Sequence, residues 1–528
     1  MPESVNHHQF PGSRSRNITH CLSGCSAAAS SCNVRIAVYA LTIYNLIIMK
    51  KYIILYFSLL VMIAQGCKEL TDVGVPNDKV VTANVFVNDQ SAISALTSIY
   101  ARMHQIGNMP YNIALLTGFY GDELKSYSST VSLVQVYTNS VKPLNDVSPN
   151  IWAVGFNHIY QANAVYEGCE ASQSLTPVVK QQLIAEAKFI RAFWHFYLLN
   201  LYGNIPVVTS TDYTANNSAH AADPTMVYKQ IVSDLKDAEA LLNENYVAGN
   251  SVSTSIERVR PNKMVAKALL ARVYLYMKDY TNAEIKATEL ISSSVYQMDS
   301  FANVFLKTSK EAIWQIAVPL SNAGIGSNLE ASNFILTAKP ASGLTRNATL
   351  STSLLSSFEI GDLRKANWTK EFKDMSVTPN VSYVYPFKMK VNITSSAPPE
   401  YATPLRLAEQ YLIRAEARAS QNKLDLAIAD HDIIRKRSGL LPIAETNPTI
   451  SQLNLISAIF QERRVELFTE WGHRWLDIKR NESANGIMTA AAIEKGTVWS
   501  SHKLLWPIPF SDIQNNPNLK QNPGYINQ

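Results

Sequence analysis

The charged residues between positions 462 and 480 are the first place in this chain where side chains could do chemistry. They are Glu462, Arg463, Arg464, Glu466, Glu470, Arg474, Asp477 and Arg480. Because residues one helical turn apart share a face, Glu462 and Glu466 could serve as the carboxylate pair of a glycoside hydrolase. The alternative is a structural ion-pair network in which arginines hold helix ends and loop carbonyls. We favour the network, since an acid and a base need opposed environments and neighbouring arginines keep carboxylates ionised.

Other catalytic patterns are missing from the sequence. The histidines after residue 67 show no His-Glu-x-x-His spacing, and there is neither a glycine-rich phosphate loop nor a Gly-x-Ser-x-Gly elbow. The sequence therefore predicts no enzyme activity, no metal site and no cofactor. A formal net charge of +5 is small for 528 residues and gives no argument for a nucleic-acid partner. We expect Cys169 to be a buried, inert helix cysteine, and His195 to be a packed core residue beside the apolar seam of its helix.

Aromatic side chains outside the predicted helices are the candidates for ligand binding. The chain holds 25 tyrosines and 8 tryptophans, whose flat rings can stack on the apolar face of a sugar. Asp122 and Glu123 could accept hydrogen bonds from sugar hydroxyls beside the Tyr120 ring. The candidate rings are Tyr120, Tyr127 and Tyr137 in residues 110–148, and Trp368, Tyr383 and Tyr385 in residues 300–400.

Residues 49–66 have the layout of a bacterial lipoprotein signal. Lys50 and Lys51 precede an apolar run that is too short to span a membrane, and Gly66 precedes Cys67. We expect cleavage before Cys67, which then carries the acyl chains, and a flexible tether over residues 67–81. Residues 1–48 are interpreted as a mis-annotated upstream extension. A double-length anchor is disfavoured, because paired lysines are costly inside a span.

The elements that must position these side chains are mostly helices. Apolar residues recur at three- and four-residue spacing, and alanines fill the predicted contacts of two helical hairpins, which resemble tetratricopeptide repeats. A strand is predicted over residues 312–318, and residues 110–148 and 300–400 are predicted to be loop-rich. The predicted helices cover 92–103, 152–166, 177–202, 224–242, 261–278, 280–292, 405–421, 424–437 and 451–471.

Four stretches together resemble one protein family. Their order and spacing are similar to those of SusD/RagB-type outer-membrane lipoproteins of the Bacteroidetes, over essentially all of the chain after Cys67. The stretches are Cys67 behind its signal, residues 186–206, residues 462–480 and residues 507–525. The resemblance implies a structural role for Arg191, Gly203, Pro206, Glu462, Arg463, Arg464, Glu466, Arg474, Asp477 and Arg480. Trp152, Trp194, Trp314, Trp471, Trp475 and Trp506 stand in periodic or family-motif positions and are predicted to be core.

The resemblance implies a mainly α-helical fold and a binding function. Interrupted tetratricopeptide-like helix pairs are expected beside an irregular part with a few short strands. An N-terminal helical part over 82–300 and a C-terminal part over 301–528 are expected to pack as one body. Family members are lipid-anchored in the outer membrane, act as lids on SusC-like TonB-dependent transporters, and are not enzymes. We therefore predict capture of an oligosaccharide; the alternatives are a peptide ligand, a tethered hydrolase, or a scaffold that binds only other proteins.

Overall fold

Long helices build most of the fold, which a computed structural model describes for residues 44, 49–51, 85–105, 109–145, 148–321 and 326–526. Cys67, the tether 67–81 and the predicted upstream extension and signal lie outside these residues, apart from positions 44 and 49–51. The described residues from 85 onward belong to one compact unit. Within the described ranges, none of the helices has both the length and the apolar character needed to cross a membrane.

The predicted mainly α-helical fold class is confirmed. The first half contains α1 (Asp89–Gln105), α2 (Met109–Tyr120), α3 (Val131–Tyr137), α4 (Ser148–Ala171), α5 (Pro177–Tyr202), α6 (Tyr213–Asn217), α7 (Pro224–Leu241), α8 (Lys263–Tyr276) and α9 (Tyr280–Ile291). The second half contains α10 (Leu329–Phe334), α11 (Thr352–Leu355), α12 (Leu363–Trp368), α13 (Leu407–Ser420), α14 (Leu424–Arg437), α15 (Ile443–Thr446), α16 (Gln452–Glu466), α17 (His473–Arg480), α18 (Ala484–Lys495) and α19 (Phe510–Asn515). A 3-10 helix spans Ser501–Leu504.

Helix α5 is the central element, packed between α4 and α7. Pro177 opens it, as the fixed φ of proline favours at a first helical turn. It is buried around most of its circumference, not only along the predicted apolar stripe, so Glu186 and Arg191 also lie inside the protein. Gly203 ends the helix with φ of 79°, where a Cβ would stand 2.8 Å from the Leu505 side chain. Both the conformation and the close approach therefore require glycine.

The two predicted helical hairpins are present as α8–α9 and α13–α14. Although residues 292–406 separate them in sequence, α9 packs directly on α13, and α16 packs on the other side of α13. Alanines such as Ala283 and Ala415 are completely buried at these contacts, which lets the helices approach closely. Arg418 on α13 donates to the carboxylate of Glu284 on α9 at 2.9 Å and ties the two hairpins together.

Three antiparallel two-stranded sheets interrupt the helical scaffold. Each of the first two joins segments that are distant in sequence, whereas the third is a hairpin. The pairs are β1 (Leu124–Ser126) with β3 (Ala348–Leu350), β2 (Ala312–Ile316) with β6 (Ala402–Arg406), and β4 (Thr369–Asp374) with β5 (Val381–Pro386).

One element prediction is wrong, and two predicted elements are present but end earlier than expected. Residues 110–148 are not irregular, because most of α2, β1 and α3 fall there. The strand predicted over 312–318 ends at Ile316 and is buried on both faces, so it does not alternate. The helix predicted over 451–471 ends at Glu466, because Thr469, Trp471 and Gly472 adopt positive φ of 54°, 47° and 77° and turn the chain away.

The predicted burial of the core tryptophans, of His195 and of Cys169 is confirmed. His195 and Cys169 are fully buried, and burial raises the pKa of the Cys169 thiol to about 12. The buried tryptophans are Trp152, Trp194, Trp314, Trp471, Trp475 and Trp506.

Candidate functional site

Tyr127 and Tyr383 come from the two segments predicted to bind ligand, and they meet at one surface. Their rings pack edge to face, with centroids 5.6 Å apart and planes at 77°. Both side chains are half-buried, so each ring keeps an accessible part. Lys125 lies over the Tyr127 ring, and Phe372 and Lys370 lie on the same strand face as Tyr383, as described below. We call Lys125, Tyr127, Lys370, Phe372 and Tyr383 the paired-tyrosine surface.

The position of Tyr127 is set by the pairing of β1 with β3. The backbone N–H of Tyr127 donates to the carbonyl of Asn347 at 2.8 Å, which extends the pairing by one residue. The Ser128 hydroxyl donates to the carbonyl of Gly343 at 2.8 Å. These bonds fix the loop before β3 to the segment after β1 and so set the backbone position from which the Tyr127 ring projects.

The position of Tyr383 is set by the register of the β4–β5 hairpin. Phe372 stands opposite Tyr383, and Lys370 stands opposite Tyr385. Because side chains alternate between the two faces of a strand, these four side chains share one face. The hairpin therefore presents an aromatic face whose outer edge carries a lysine.

Sequence reasoning missed the lysines of the paired-tyrosine surface. The Lys125 Nζ lies 5.3 Å from the centroid of the Tyr127 ring, and the Lys370 Nζ lies 4.8 Å from that of Phe387. Ammonium groups at this distance are attracted by the ring face. In a strand, the two-residue spacing of Lys125 and Tyr127 places both side chains on one face. Because neither β1 nor β4 is predicted from the sequence, this spacing could not be used to find the lysines.

Tyr137 lies on α3 and is half-buried. Its ring packs edge-on against Phe119 with centroids 6.0 Å apart, and the Lys495 Nζ lies 5.4 Å from its centroid. Burial, then the charge of Glu494 and the neighbouring Tyr127, raise the pKa of Tyr137 to about 12. Its hydroxyl therefore keeps its proton, and Tyr137 stays a predicted ligand contact near the paired-tyrosine surface.

Three other predicted ligand aromatics belong to the core. The Tyr120 side chain is buried, and its hydroxyl donates to the Lys503 carbonyl at 2.8 Å. Trp368 has no exposed surface, and the Lys388 Nζ lies 4.6 Å from its ring centroid. Tyr385 is 4% exposed. Since no ring face is open to a sugar, we reassign Tyr120, Trp368 and Tyr385 from the ligand site to packing.

Asp122 is also taken up by the protein itself. Its two carboxylate oxygens accept from Arg474 at 2.7 and 2.8 Å, and one of them accepts from Arg464 at 2.9 Å. Burial opposes ionisation, but the hydrogen bonds and charges of these arginines lower the pKa of Asp122 to about 2. We therefore reassign Asp122 from sugar binding to the ion-pair network, and Glu123 to the core, since its side chain is buried and accepts from the backbone N–H of Thr469.

The carboxylates of residues 462–480 all have cationic partners. Glu466 accepts from Arg406 at 2.6 Å and lies 3.2 Å from Arg364. Burial opposes the ionisation of Glu466, but three arginine charges lower its pKa well below its ordinary value. This geometry is that of a structural network and offers no proton donor to a glycosidic oxygen. The remaining pairs include Arg364–Glu462, Arg406–Glu470, Lys388–Glu470, Arg463–Asp477, Arg480–Asp477 and Arg480–Glu416.

Arg191 forms a second buried anchor in the helical part. Its Nε and Nη2 donate to the two carboxylate oxygens of Asp234 at 2.8 and 2.6 Å, and Nη1 donates to Asn163 at 2.8 Å. A planar guanidinium suits this bidentate geometry. The pair joins α5 to α7, while Gly203 and the buried Pro206 direct the chain out of α5.

The helical hairpins leave a groove of about 490 Å³. Its floor contains Arg480, whose guanidinium lies between the rings of Tyr276 and Phe460 at 5.1 and 4.7 Å from their centroids. Because Arg480 is already paired with Glu416 and Asp477, its charge is not free for a ligand. Among the residues that the structure describes, no three His, Cys, Asp or Glu side chains are grouped to hold a metal ion.

Comparisons with known proteins match both halves of the chain. A family model described as "SusD family" matches residues 358–525, and one described as "Starch-binding associating with outer membrane" matches residues 74–275. SusD-like protein P2 of Formosa agariphila is 24% identical over 524 residues, which cover 90% of this chain and all of that protein. The starch-binding protein SusD of Bacteroides thetaiotaomicron is 24% identical, over 67% of this chain and 75% of its own.

Solved structures show the same architecture. Surface glycan-binding protein A from Bacteroides uniformis superposes with a TM-score of 0.68 at 18% sequence identity, covering 82% of this chain and 99% of that one. At this sequence identity, the match is evidence of the fold alone. The overall fold of this chain is therefore shared with that protein.

Proposed function

Because the chain belongs to the SusD/RagB family, we propose that it captures an oligosaccharide at the cell surface and passes it to a partner TonB-dependent transporter. The starch-binding relative and the glycan-binding structural neighbour support a carbohydrate ligand. The observation that carries the proposal is the paired-tyrosine surface, which lies outside the helical scaffold and presents two accessible rings.

The geometry of these rings suits a sugar better than a flat aromatic ligand. One ring face can stack on the C–H face of a pyranose, while the perpendicular ring closes the side of the site. Among the described residues, the Tyr127 and Tyr383 hydroxyls have no hydrogen-bond partner, so they can pair with sugar hydroxyls. We propose binding without cleavage, because the carboxylates of residues 462–480 are paired with arginines.

Replacing Tyr127 by alanine tests this site. We expect Tyr127→Ala to weaken glycan binding at least about tenfold, which corresponds to about 1.4 kcal/mol, because one stacking face and its edge contact with Tyr383 disappear. Calorimetry of the purified full chain against a polysaccharide panel measures the effect. Tyr160→Ala is the control, since Tyr160 is an exposed tyrosine on α4. Equal affinities for both variants contradict the site, and binding only to a peptide digest moves the protein to a peptide-binding role.

The lipid anchor is proposed at Cys67. Support comes from the signal-like residues 49–66 and from the family-model description of association with the outer membrane. We expect Cys67→Ala to abolish incorporation of labelled palmitate and to release the protein from the outer-membrane fraction, because no acyl acceptor remains. Cys169→Ala is the matched control, since that thiol is buried. Palmitate on the Cys67→Ala protein contradicts the anchor.

A further inference from the structure

Lys125 and Lys370 are exposed cations of the paired-tyrosine surface. In the part of the chain that the structure describes, neither ammonium group has a carboxylate partner; each lies over an aromatic ring. Lys373 provides the contrast on the same strand as Lys370, because its Nζ lies 3.6 Å from a carboxylate oxygen of Glu371. The two lysines are thus free charges at the place where the ligand is proposed to bind.

The carboxylates of β4 are not placed to pair with Lys370. By strand alternation, Glu371 and Lys373 lie on the face of β4 opposite to Lys370. Asp374 shares the face of Lys370, but it is buried and its Oδ1 accepts from the backbone N–H and the hydroxyl of Ser376. The register neighbour of Lys125 is the neutral Thr349. The surface is therefore aromatic and positively charged.

We propose that the ligand class of this surface is an anionic polysaccharide, whose sugar rings carry carboxylate or sulfate groups; this inference rests on the proposed glycan-binding function. A ring stacked on Tyr127 or Tyr383 brings its acidic substituent towards the Nζ of Lys125 or Lys370. The ring contacts hold each ammonium beside the aromatic face, so the sugar face and the charge are recognised together. A lysine is a point charge and accepts either acid, because it imposes no planar geometry.

The test compares each acidic polymer with its own neutral form. Calorimetry of the full chain uses polygalacturonate against the same polymer after methyl esterification, and a sulfated galactan against its desulfated form. We expect at least about tenfold tighter binding of the acidic member at low ionic strength. This difference in affinity should become smaller in 1 M salt, where the Debye length is only about 3 Å and charges are strongly screened.

Variants locate the effect. We expect Lys125→Gln and Lys370→Gln each to reduce the preference for the acidic polymer several-fold, and the double variant to remove it. Lys373→Gln, on the same strand but the opposite face, should keep it. If the double variant does not fold, the salt dependence of the unchanged protein decides.

Each other outcome has a distinct meaning. Equal binding of neutral and acidic polymers that still depends on Tyr127 overturns the anionic ligand class and leaves the glycan function standing. Binding of no polysaccharide defeats the glycan function itself. Binding of polyglutamate as tight as that of polygalacturonate overturns the inference that the ligand is a glycan acid.

Discussion

Replacement of Arg406 by methionine is expected to lower the free energy of unfolding by about 3–5 kcal/mol at pH 7. Arg406 is 1% exposed, and its guanidinium donates to carboxylates of Glu311, Glu466 and Glu470 at 2.8, 2.6 and 2.7 Å. Methionine keeps much of the apolar volume but leaves these buried carboxylates with fewer partners. The variant therefore buries charge that is incompletely compensated, which is the costly case.

The loss should be smaller in acid. Burial opposes the ionisation of Glu466, but the charges of Arg437, Arg406 and Arg364 lower its pKa well below its ordinary value of 4.5. A carboxyl group with a lowered pKa in the folded state adds stability above its unfolded pKa, and this contribution disappears as the pH falls. Below about pH 4.5 the unchanged protein therefore loses part of the stability that the paired Glu466 carboxylate contributes, and the difference in the free energy of unfolding between the two proteins decreases. Urea unfolding followed by circular dichroism at pH 7 and pH 4 measures both differences.

Lys263→Met provides the control for this prediction. Lys263 and Glu244 form a pair at 2.7 Å, but their side chains are 28% and 70% exposed. Such surface pairs contribute about 0–1 kcal/mol. A loss for Arg406→Met no larger than that for Lys263→Met contradicts the idea that the buried network stabilises the fold.

The helical scaffold was predictable from sequence where one helix face is apolar. The hairpins α8–α9 and α13–α14 expose one side, so their apolar residues recur at helical spacing and give both boundaries to within a few residues. Helix α2 was missed for the opposite reason. Its described side chains from Tyr111 to Tyr120 are almost all buried, so no polar stripe marks the helical period.

Burial of single residues in the irregular part was not predictable. Trp368 lies among polar residues in the sequence and looks like an exposed loop aromatic. In the folded chain, Phe301 and Phe305 approach its ring with centroids 5.0 and 6.1 Å away. These neighbours come from a segment more than sixty residues earlier, and nothing local signals the contact.

The ion-pair network was predictable in kind but not in membership. The density of arginines around Glu462 and Glu466 indicated a network, yet the partners Arg364 and Arg406 lie far from them in sequence. The paired-tyrosine surface is likewise built from residues that are far apart in sequence. The sequence predicts Tyr127 and Tyr383 separately as loop aromatics, and only the pairing of β1 with β3 and of β4 with β5 brings them together.

Glu330 carries the second large expected effect, with the opposite dependence on pH. Its side chain is 7% exposed and lines a cavity of about 20 Å³ with Lys388, Thr469 and Glu470. Among the described residues, its carboxylate oxygens make no hydrogen bond or ion pair. Burial first, then the charges of Glu470 and Glu400, raise the pKa of Glu330 to about 8 against the opposing charge of Lys388.

A raised carboxyl pKa makes the protein less stable as the pH rises. The unfolded chain releases this proton near its ordinary pKa of 4.5, whereas the folded chain keeps it until about pH 8. Between these values the folded state binds more protons, so the free energy of unfolding falls with increasing pH and then levels off. At about 1.4 kcal/mol for each pH unit, the total decrease in the free energy of unfolding between the two pKa values is on the order of 4 kcal/mol.

Glu330→Gln removes this titration while keeping the shape of the side chain. We expect the variant to match the unchanged protein near pH 4.5 and to exceed its free energy of unfolding by roughly 2–4 kcal/mol at pH 9. Urea unfolding at intervals between these values measures the slope. Glu123→Gln should behave alike, since burial raises the pKa of Glu123 to about 8, whereas Glu482→Gln at an exposed position should change nothing. An equal pH slope in the Glu330→Gln variant and the unchanged protein means that Glu330 is ionised in the folded state and that its charge is compensated inside the protein.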